Sequence, residues 1–143
     1  MYLFNRSISV NVRTEDHKTV TVDGFFLDSL HELCLTLEVD LGSNIITSAD
    51  GKLRRSPHSD CEQTQKLISN LIGVDLNRNV RKQVQVAVGL SHGCTHLTDL
   101  TLECVKGVLQ AKFQLMHLTM QEEEIKAHLE QYLEGSCLHY SKI

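Results

Sequence analysis

Apolar residues alternate with polar ones over the first fifty positions of this chain and recur at helical spacing over the rest, a single change of period that constrains the fold more than any other feature. Leu3 to Val12 alternates through Leu3, Ile8, Val10 and Val12, Thr19 to Leu27 through Val20, Val22 and Phe25, and Leu33 to Val39 through Leu33, Leu35, Leu37 and Val39. Period two gives each strand one buried face. Glu15-Asp16-His17-Lys18 and Asp28-Ser29 separate the runs by short turns, which predicts an antiparallel meander. A fourth short strand is expected near Asn44 to Ser48, after the Leu41-Gly42-Ser43 turn.

Beyond residue 58 the period lengthens. Ser59 or Asp60 can cap a helix carrying Thr64, Leu67, Ile68, Leu71 and Ile72, stopped by Gly73. A second helix is expected from Asn77 through Val80, Val84, Ala87 and Val88 to Gly89. The longest follows Gly93, with Leu97, Leu100, Cys104, Val105, Val108, Ala111 and Leu115 as one stripe. The last starts at a capping box from Thr119 to Glu122, presents Ile125, Leu129, Tyr132 and Leu133, and stops at Gly135. Strands followed by helices define an α+β protein: an N-terminal antiparallel sheet of three to four strands with about four helices packed on one face. The 143 residues fit a single domain 1-143, with strands over about 2-50 and helices over about 59-135.

Charge and composition narrow the function classes. A formal net charge of -4 provides no global basic field, so a dedicated nucleic-acid partner is not expected. No apolar run approaches the roughly 18 to 20 residues that cross a bilayer, and Met1 to Val10 has neither the basic start nor the apolar centre of a signal peptide. The expectation is a cytoplasmic protein without a membrane partner. There the five cysteines, Cys34, Cys61, Cys94, Cys104 and Cys137, are reduced, and serve as core residues, metal ligands or nucleophiles.

Chemistry concentrates in His92-Gly93-Cys94-Thr95-His96, where a thiol sits between two imidazoles at the expected start of the longest helix. Unpaired N–H groups and the positive dipole end there favour thiolate over thiol. Thiolate and neutral imidazole are also the natural ligand pair for zinc, iron or copper. Cys61 opens the first expected helix beside Asp60 and near His58, and His31-Glu32 opens the third strand. His31, Cys61, Cys94 and His96, with Glu32, Asp60 or His92 as substitutes, would supply a tetrahedral or open metal site. No Cys-x2-Cys or His-x3-His spacing is present, so the groups would come from distant parts of the fold. Cys34 and Cys104 fall on apolar faces, where cysteine acts as a small hydrophobe. Cys137 near the C-terminus, and His58, His92, His117, His128 and His139, read equally as surface residues. No nucleophile elbow, phosphate-binding glycine loop or dinucleotide fingerprint occurs.

Gly93-Cys94-Thr95-His96-Leu97, with Cys61 about thirty residues upstream and Leu71-Ile72-Gly73 between, resembles the signature of an uncharacterised bacterial domain-of-unknown-function family marked by Gly-Cys-Thr-His-Leu. That family's glycine, short strand and aspartate, followed by a histidine and an acidic residue, are matched by Gly24 to Asp28 and His31-Glu32. The resemblance covers about residues 5 to 115. The element order is also remotely similar to that of NifU/IscU-type iron-sulfur scaffold proteins, a likeness that implies three ligand stations at His31-Glu32, Cys61 and Cys94, with His92 or His96 beside the last. Histidine stands where those scaffolds carry their first cysteine, and the glycines around the second are missing.

Three functional readings follow. In the leading one the chain is a small cytoplasmic protein that handles metal or sulfur through a Cys/His site holding zinc or iron, with an iron-sulfur cluster as a lesser variant. Cys61 and Cys94 are the thiolate ligands, His31 and His96 the imidazoles, and Glu32 a ligand or an orienting base. In the second, Cys94 is a metal-free reactive thiol activated by His92 or His96, a sulfur acceptor or a nucleophile. In the third, the chain is a non-catalytic interaction module whose last helix meets a protein partner; an unpaired edge strand would permit a homo-oligomer. Whether the chain is an enzyme, and which substrate it would take, stays open.

Overall fold

The computed structural model describes residues 1–141 and is an α+β fold. Four strands, β1 (Arg6–Arg13), β2 (Thr19–Asp28), β3 (Glu32–Asp40) and β4 (Ile45–Arg55), form one antiparallel sheet in the order β1-β2-β3-β4. A 3-10 segment Ser59–Leu71 follows, then the helices α1 (Val80–Val88), α2 (Thr95–Met116) and α3 (Glu122–Leu133), with short 3-10 turns at Leu90–His92 and Leu138–Tyr140. The chain gathers into two compact units, Met1 to Val108 and Leu109 onward.

Alternation fixes the inner face of the sheet. Val20, Val22 and Phe26 of β2, Leu33, Leu35, Leu37 and Val39 of β3, and Ile46 and Leu53 of β4 are buried together with Leu97, Leu100, Cys104, Val105 and Val108 of α2. The parity of Val20 and Val22 carries through Gly24 to Phe26, so Phe26 and not Phe25 is the aromatic residue of the inner face. Phe25 is 46% exposed. The same parity puts Asp28 on the inner face, 4% exposed, where the sequence pattern suggested only a turn. β4 runs to Arg55, well beyond the expected Ser48, and is irregular between Glu32/Leu33 and Glu38/Val39 of its partner strand.

Three local expectations are corrected. Residues 59–71 wind as a 3-10 helix rather than an α-helix, and the buried pair is Ile68 and Leu71, three residues apart as that winding requires, while Ile72 is 51% exposed. The second helix starts at Val80 rather than Asn77, because the Asp75 carboxylate accepts the Asn77 N–H at 2.8 Å and holds that residue in a turn. The last helix is capped by Gln121, whose N–H donates to the Glu124 carboxylate at 3.3 Å, rather than by Thr119 with Glu122.

Two glycines let α2 lie close to the sheet. A Cβ on Gly24 of β2 would collide with the Cys104 sulfur and stand 3.1 Å from Leu100 Cδ1, and one on Gly107 of α2 would stand 2.7 Å from Val10 Cγ1. Cys104 is fully buried and its thiol is pushed up to about 12 by burial, with Asp23 and Glu103 adding to the rise, so it packs as a hydrophobe. The buried Thr101 hydroxyl donates to the Leu97 carbonyl at 2.7 Å, which leaves no unpaired polar atom on the packed face of the helix.

Gly24→Ala is expected to cost roughly 1–3 kcal/mol by overpacking. Combining it with Cys104→Ala should recover part of the loss in a double-mutant cycle of chemical denaturation. Purely additive costs would mean that the two residues do not share this contact.

Candidate functional site

At one end of the sheet the β2–β3 turn, Asp28-Ser29-Leu30-His31, closes through the Asp28 N–H donating to the His31 carbonyl at 3.0 Å. The Asp28 side chain folds back over that turn. Its Oδ1 accepts the Leu30 N–H at 2.9 Å, the His31 N–H at 2.7 Å and the His31 ring Nδ1–H at 2.9 Å. Its Oδ2 accepts from Arg6 Nη2 at 3.2 Å. Arg55 of β4 donates to the Ser29 carbonyl at 2.7 Å and the Asp28 carbonyl at 2.9 Å, so the turn is held from both sides. Burial works against ionisation of Asp28, but the donors from Leu30, His31 and Arg6 outweigh it and hold the carboxyl well below the usual carboxylate range.

A carboxylate oxygen only accepts, so His31 carries a proton on Nδ1, which leaves Nε2 as the ring nitrogen available to a ligand. Its ring lies against His96 of α2, with centroids 3.8 Å apart and planes tilted by 32°. Phe26 meets the His96 ring edge-on at 5.2 Å, and the Arg6 guanidinium stands 4.7 Å from the Phe26 centroid. Asp28, His31 and His96 each offer a ligand atom within 4.8 Å of the others. Burial first, then the neighbouring His31 and Arg6, lower the His96 pKa below its ordinary value and favour the neutral imidazole.

The pentapeptide at the start of α2 has a steric and a chemical logic. Gly93 passes against the backbone of Val88 and Gly89, where any Cβ would collide, so no side chain fits. Cys94 follows as the residue before the helix: its N–H donates to the Val88 carbonyl at 2.8 Å and its carbonyl accepts the Thr98 N–H at 3.0 Å. Its Sγ lies 3.9 Å from His96 Nδ1. His96 sits one residue inside the helix against His31, and Leu97 is fully buried.

The residues singled out in the sequence are thus placed differently from one another. His31, His96 and Cys94 share this corner. Glu32 points to the outer face of the sheet and pairs with Arg54 at 3.6 Å, although its backbone follows His31 directly. Cys61 lies in the 3-10 segment, where its carbonyl accepts the Thr64 hydroxyl at 2.7 Å. Neither belongs to the Asp28/His31/His96 group, and Cys94 reaches it only through its contact with His96. His92 donates from Nε2 to the Val86 carbonyl at 3.0 Å, turned to a different partner from Cys94. Arg6 carries no role in the sequence pattern and Asp28 enters it only as a turn residue and as the aspartate of the family signature, although the parity from Val20 to Phe26 already places Asp28 on the buried face.

A family model described as a protein of unknown function (DUF2889) matches residues 4–110, which include the whole of this corner. The chain belongs to that family. No curated protein and no solved structure matches it, NifU/IscU-type scaffolds included. Among the described residues, no helix is long and apolar enough to cross a membrane.

The charge states give a pH signature. His96, whose folded pKa is lowered, refuses a proton that the unfolded chain accepts below the ordinary value of 6.5, so stability falls as the pH drops through and below that value. Asp28, also lowered, contributes stability that is complete above the ordinary carboxylate value of 3.8 and is lost at more acidic pH. Denaturant titrations between pH 7 and 3 should show both phases. His96→Gln should flatten the first, and Asp28→Asn should flatten the second while costing roughly 2–4 kcal/mol at pH 7.

Proposed function

We propose that this protein binds a single transition-metal ion, zinc or iron, at the corner made by His31, His96 and Cys94, with Asp28 as the group that orients His31. The observation that carries this reading is the meeting of the His31 and His96 imidazoles at a turn organised by a buried carboxylate, with the Cys94 sulfur 3.9 Å from Nδ1 of His96. Oδ1 of Asp28 is occupied by three N–H groups and Oδ2 by Arg6, so the carboxylate serves the imidazole and leaves the ion to His31 Nε2. Tetrahedral zinc with bonds of about 2.0–2.1 Å to nitrogen and 2.3 Å to sulfur sets a nitrogen–sulfur separation of about 3.6 Å. The 3.9 Å between Cys94 Sγ and His96 Nδ1 is close to that value. Two imidazoles and one thiolate suit a mononuclear ion with one position open for an exogenous ligand. Iron-sulfur clusters are commonly held by four thiolates, a set this corner does not offer. Handling of metal or sulfur is the function that such an open site supports.

Protein purified anaerobically without chelator or affinity metal should carry close to one zinc or iron per chain. His31→Ala, His96→Ala and Cys94→Ser should each lose most of it, Asp28→Asn should weaken affinity about 10–100-fold, and Cys61→Ser should retain it. Wild-type protein that neither carries nor takes up either metal would overturn the assignment.

The second reading keeps Cys94 as a metal-free nucleophile, and the 3.9 Å approach of its sulfur to His96 at the start of a 22-residue helix favours it. In metal-free protein, iodoacetamide should then label Cys94 at least about tenfold faster than the exposed Cys137, and His96→Gln should remove that advantage. Equal labelling rates would discard the nucleophile.

A further inference from the structure

The outer face of the sheet carries a second constellation, independent of the metal corner. Phe25 and Leu27 of β2 are 46% and 48% exposed, and the half-buried Cys34 of β3 lies directly across from Phe25. These three make a flat apolar platform on the open side of the sheet. A recess of about 160 Å³ opens between Phe25, Leu27, Cys34 and Arg54. Cys34 in turn pairs with Lys52, so Phe25, Cys34 and Lys52 form one row across β2, β3 and β4.

Beyond that row the surface turns basic. Lys52 and Arg54 of β4 and Lys66 of the 3-10 segment line a groove of about 650 Å³ together with Gln65 and Glu62. Arg54 belongs to both the recess and the groove, which makes them one continuous surface. Arg54 is paired with Glu32 at 3.6 Å, whereas Lys52 and Lys66 have no ion-pair partner among the described residues. Three cations, Lys52, Arg54 and Lys66, against two carboxylates, Glu62 and the Arg54-paired Glu32, leave a small positive surplus here in a chain whose net charge is -4. The surplus is local, and it lies beside an exposed aromatic ring.

We propose that this face binds a nucleoside phosphate, the base stacked on Phe25 over the Leu27/Cys34 platform and the phosphates held by Lys52, Arg54 and Lys66. Stacking on an exposed ring suits any planar base, and lysine and arginine are the common phosphate partners. Phe25 and Lys52 stand two strands apart, roughly 9–10 Å at the backbone, which suits a ligand with its ring at one end and its phosphates at the other. A polar anion without a ring would use the groove but not the platform. An uncharged aromatic would do the reverse.

The test is titration of the isotopically labelled full chain with ADP, adenosine and pyrophosphate, followed by amide chemical shifts. ADP should give saturable shifts at Phe25, Cys34, Lys52 and Lys66 and bind at least about tenfold more tightly than either fragment. Phe25→Ser and Lys66→Glu, both at exposed positions, should each weaken ADP at least about fivefold with the remaining spectrum unchanged. His31→Ala should leave ADP affinity as it is. Absence of saturable shifts, or equal affinity for ADP and pyrophosphate with no effect of Phe25→Ser, would overturn the proposal. Binding of oligo(dA) at least about a hundredfold tighter than ADP would also overturn it, reassigning the face to single-stranded nucleic acid.

Discussion

The carboxylate of Asp28 organises the corner on which the candidate chemistry rests. A buried charge is costly unless its hydrogen-bonding capacity is filled, and here two backbone N–H groups, an imidazole and a guanidinium fill it. In filling it they are themselves fixed. The β2–β3 turn closes, the His31 ring is oriented with its Nδ1–H on Asp28, and the first strand of the meander is tied to the second through Arg6. Loss of the charge would therefore loosen the turn, the imidazole and the edge of the sheet together.

His96 reaches the same point from the opposite direction in sequence. The Val88–Cys94 hydrogen bond and the passage of Gly93 against the preceding backbone set where α2 begins, and Gly24 and Gly107 set how closely that helix approaches the sheet. Small residues at these contacts convert a helix start into a defined position over the turn. His96 then stacks on His31 and meets the edge of Phe26. Partial burial lowers the His96 pKa and so favours the neutral imidazole, the form in which it can bind a metal or accept a proton. Cys94, two residues before His96 and just outside the helix, has its sulfur 3.9 Å from Nδ1 of that ring.

Much of the architecture was legible because burial leaves a period in the sequence. Leu33, Leu35, Leu37 and Val39 alternate and are buried, and Leu97, Leu100, Cys104 and Val108 recur at helical spacing and are buried. The errors came where side-chain hydrogen bonds or packing override the local pattern. Phe25 and Phe26 are adjacent aromatics, and only the parity carried through a glycine tells them apart. Asp75 delays α1, and Glu124 moves the start of α3 to a glutamine. The 3-10 winding of residues 59–71 shows in the three-residue spacing of its buried pair, a spacing that an α-helix also permits.

For the site, residue chemistry picked out His31, Cys94 and His96 from their place at element starts, and picked out Cys61 and Glu32 by the same criterion. What separated them is three-dimensional. Glu32 follows His31 in sequence, but consecutive residues of a strand point to opposite faces, so it meets Arg54 on the outside. Cys61 also opens a helical segment, yet that segment packs beside β4 and brings no third ligand to the thiol. The sequence by itself determined the strand-then-helix order, the buried faces and the glycine that α2 needs at its start, because these follow from local periodicity and backbone sterics. The tertiary structure alone decided that Asp28, His31 and His96 meet, since hydrogen bonds and ring stacking between residues so far apart in the chain depend on how the helix is set over the sheet.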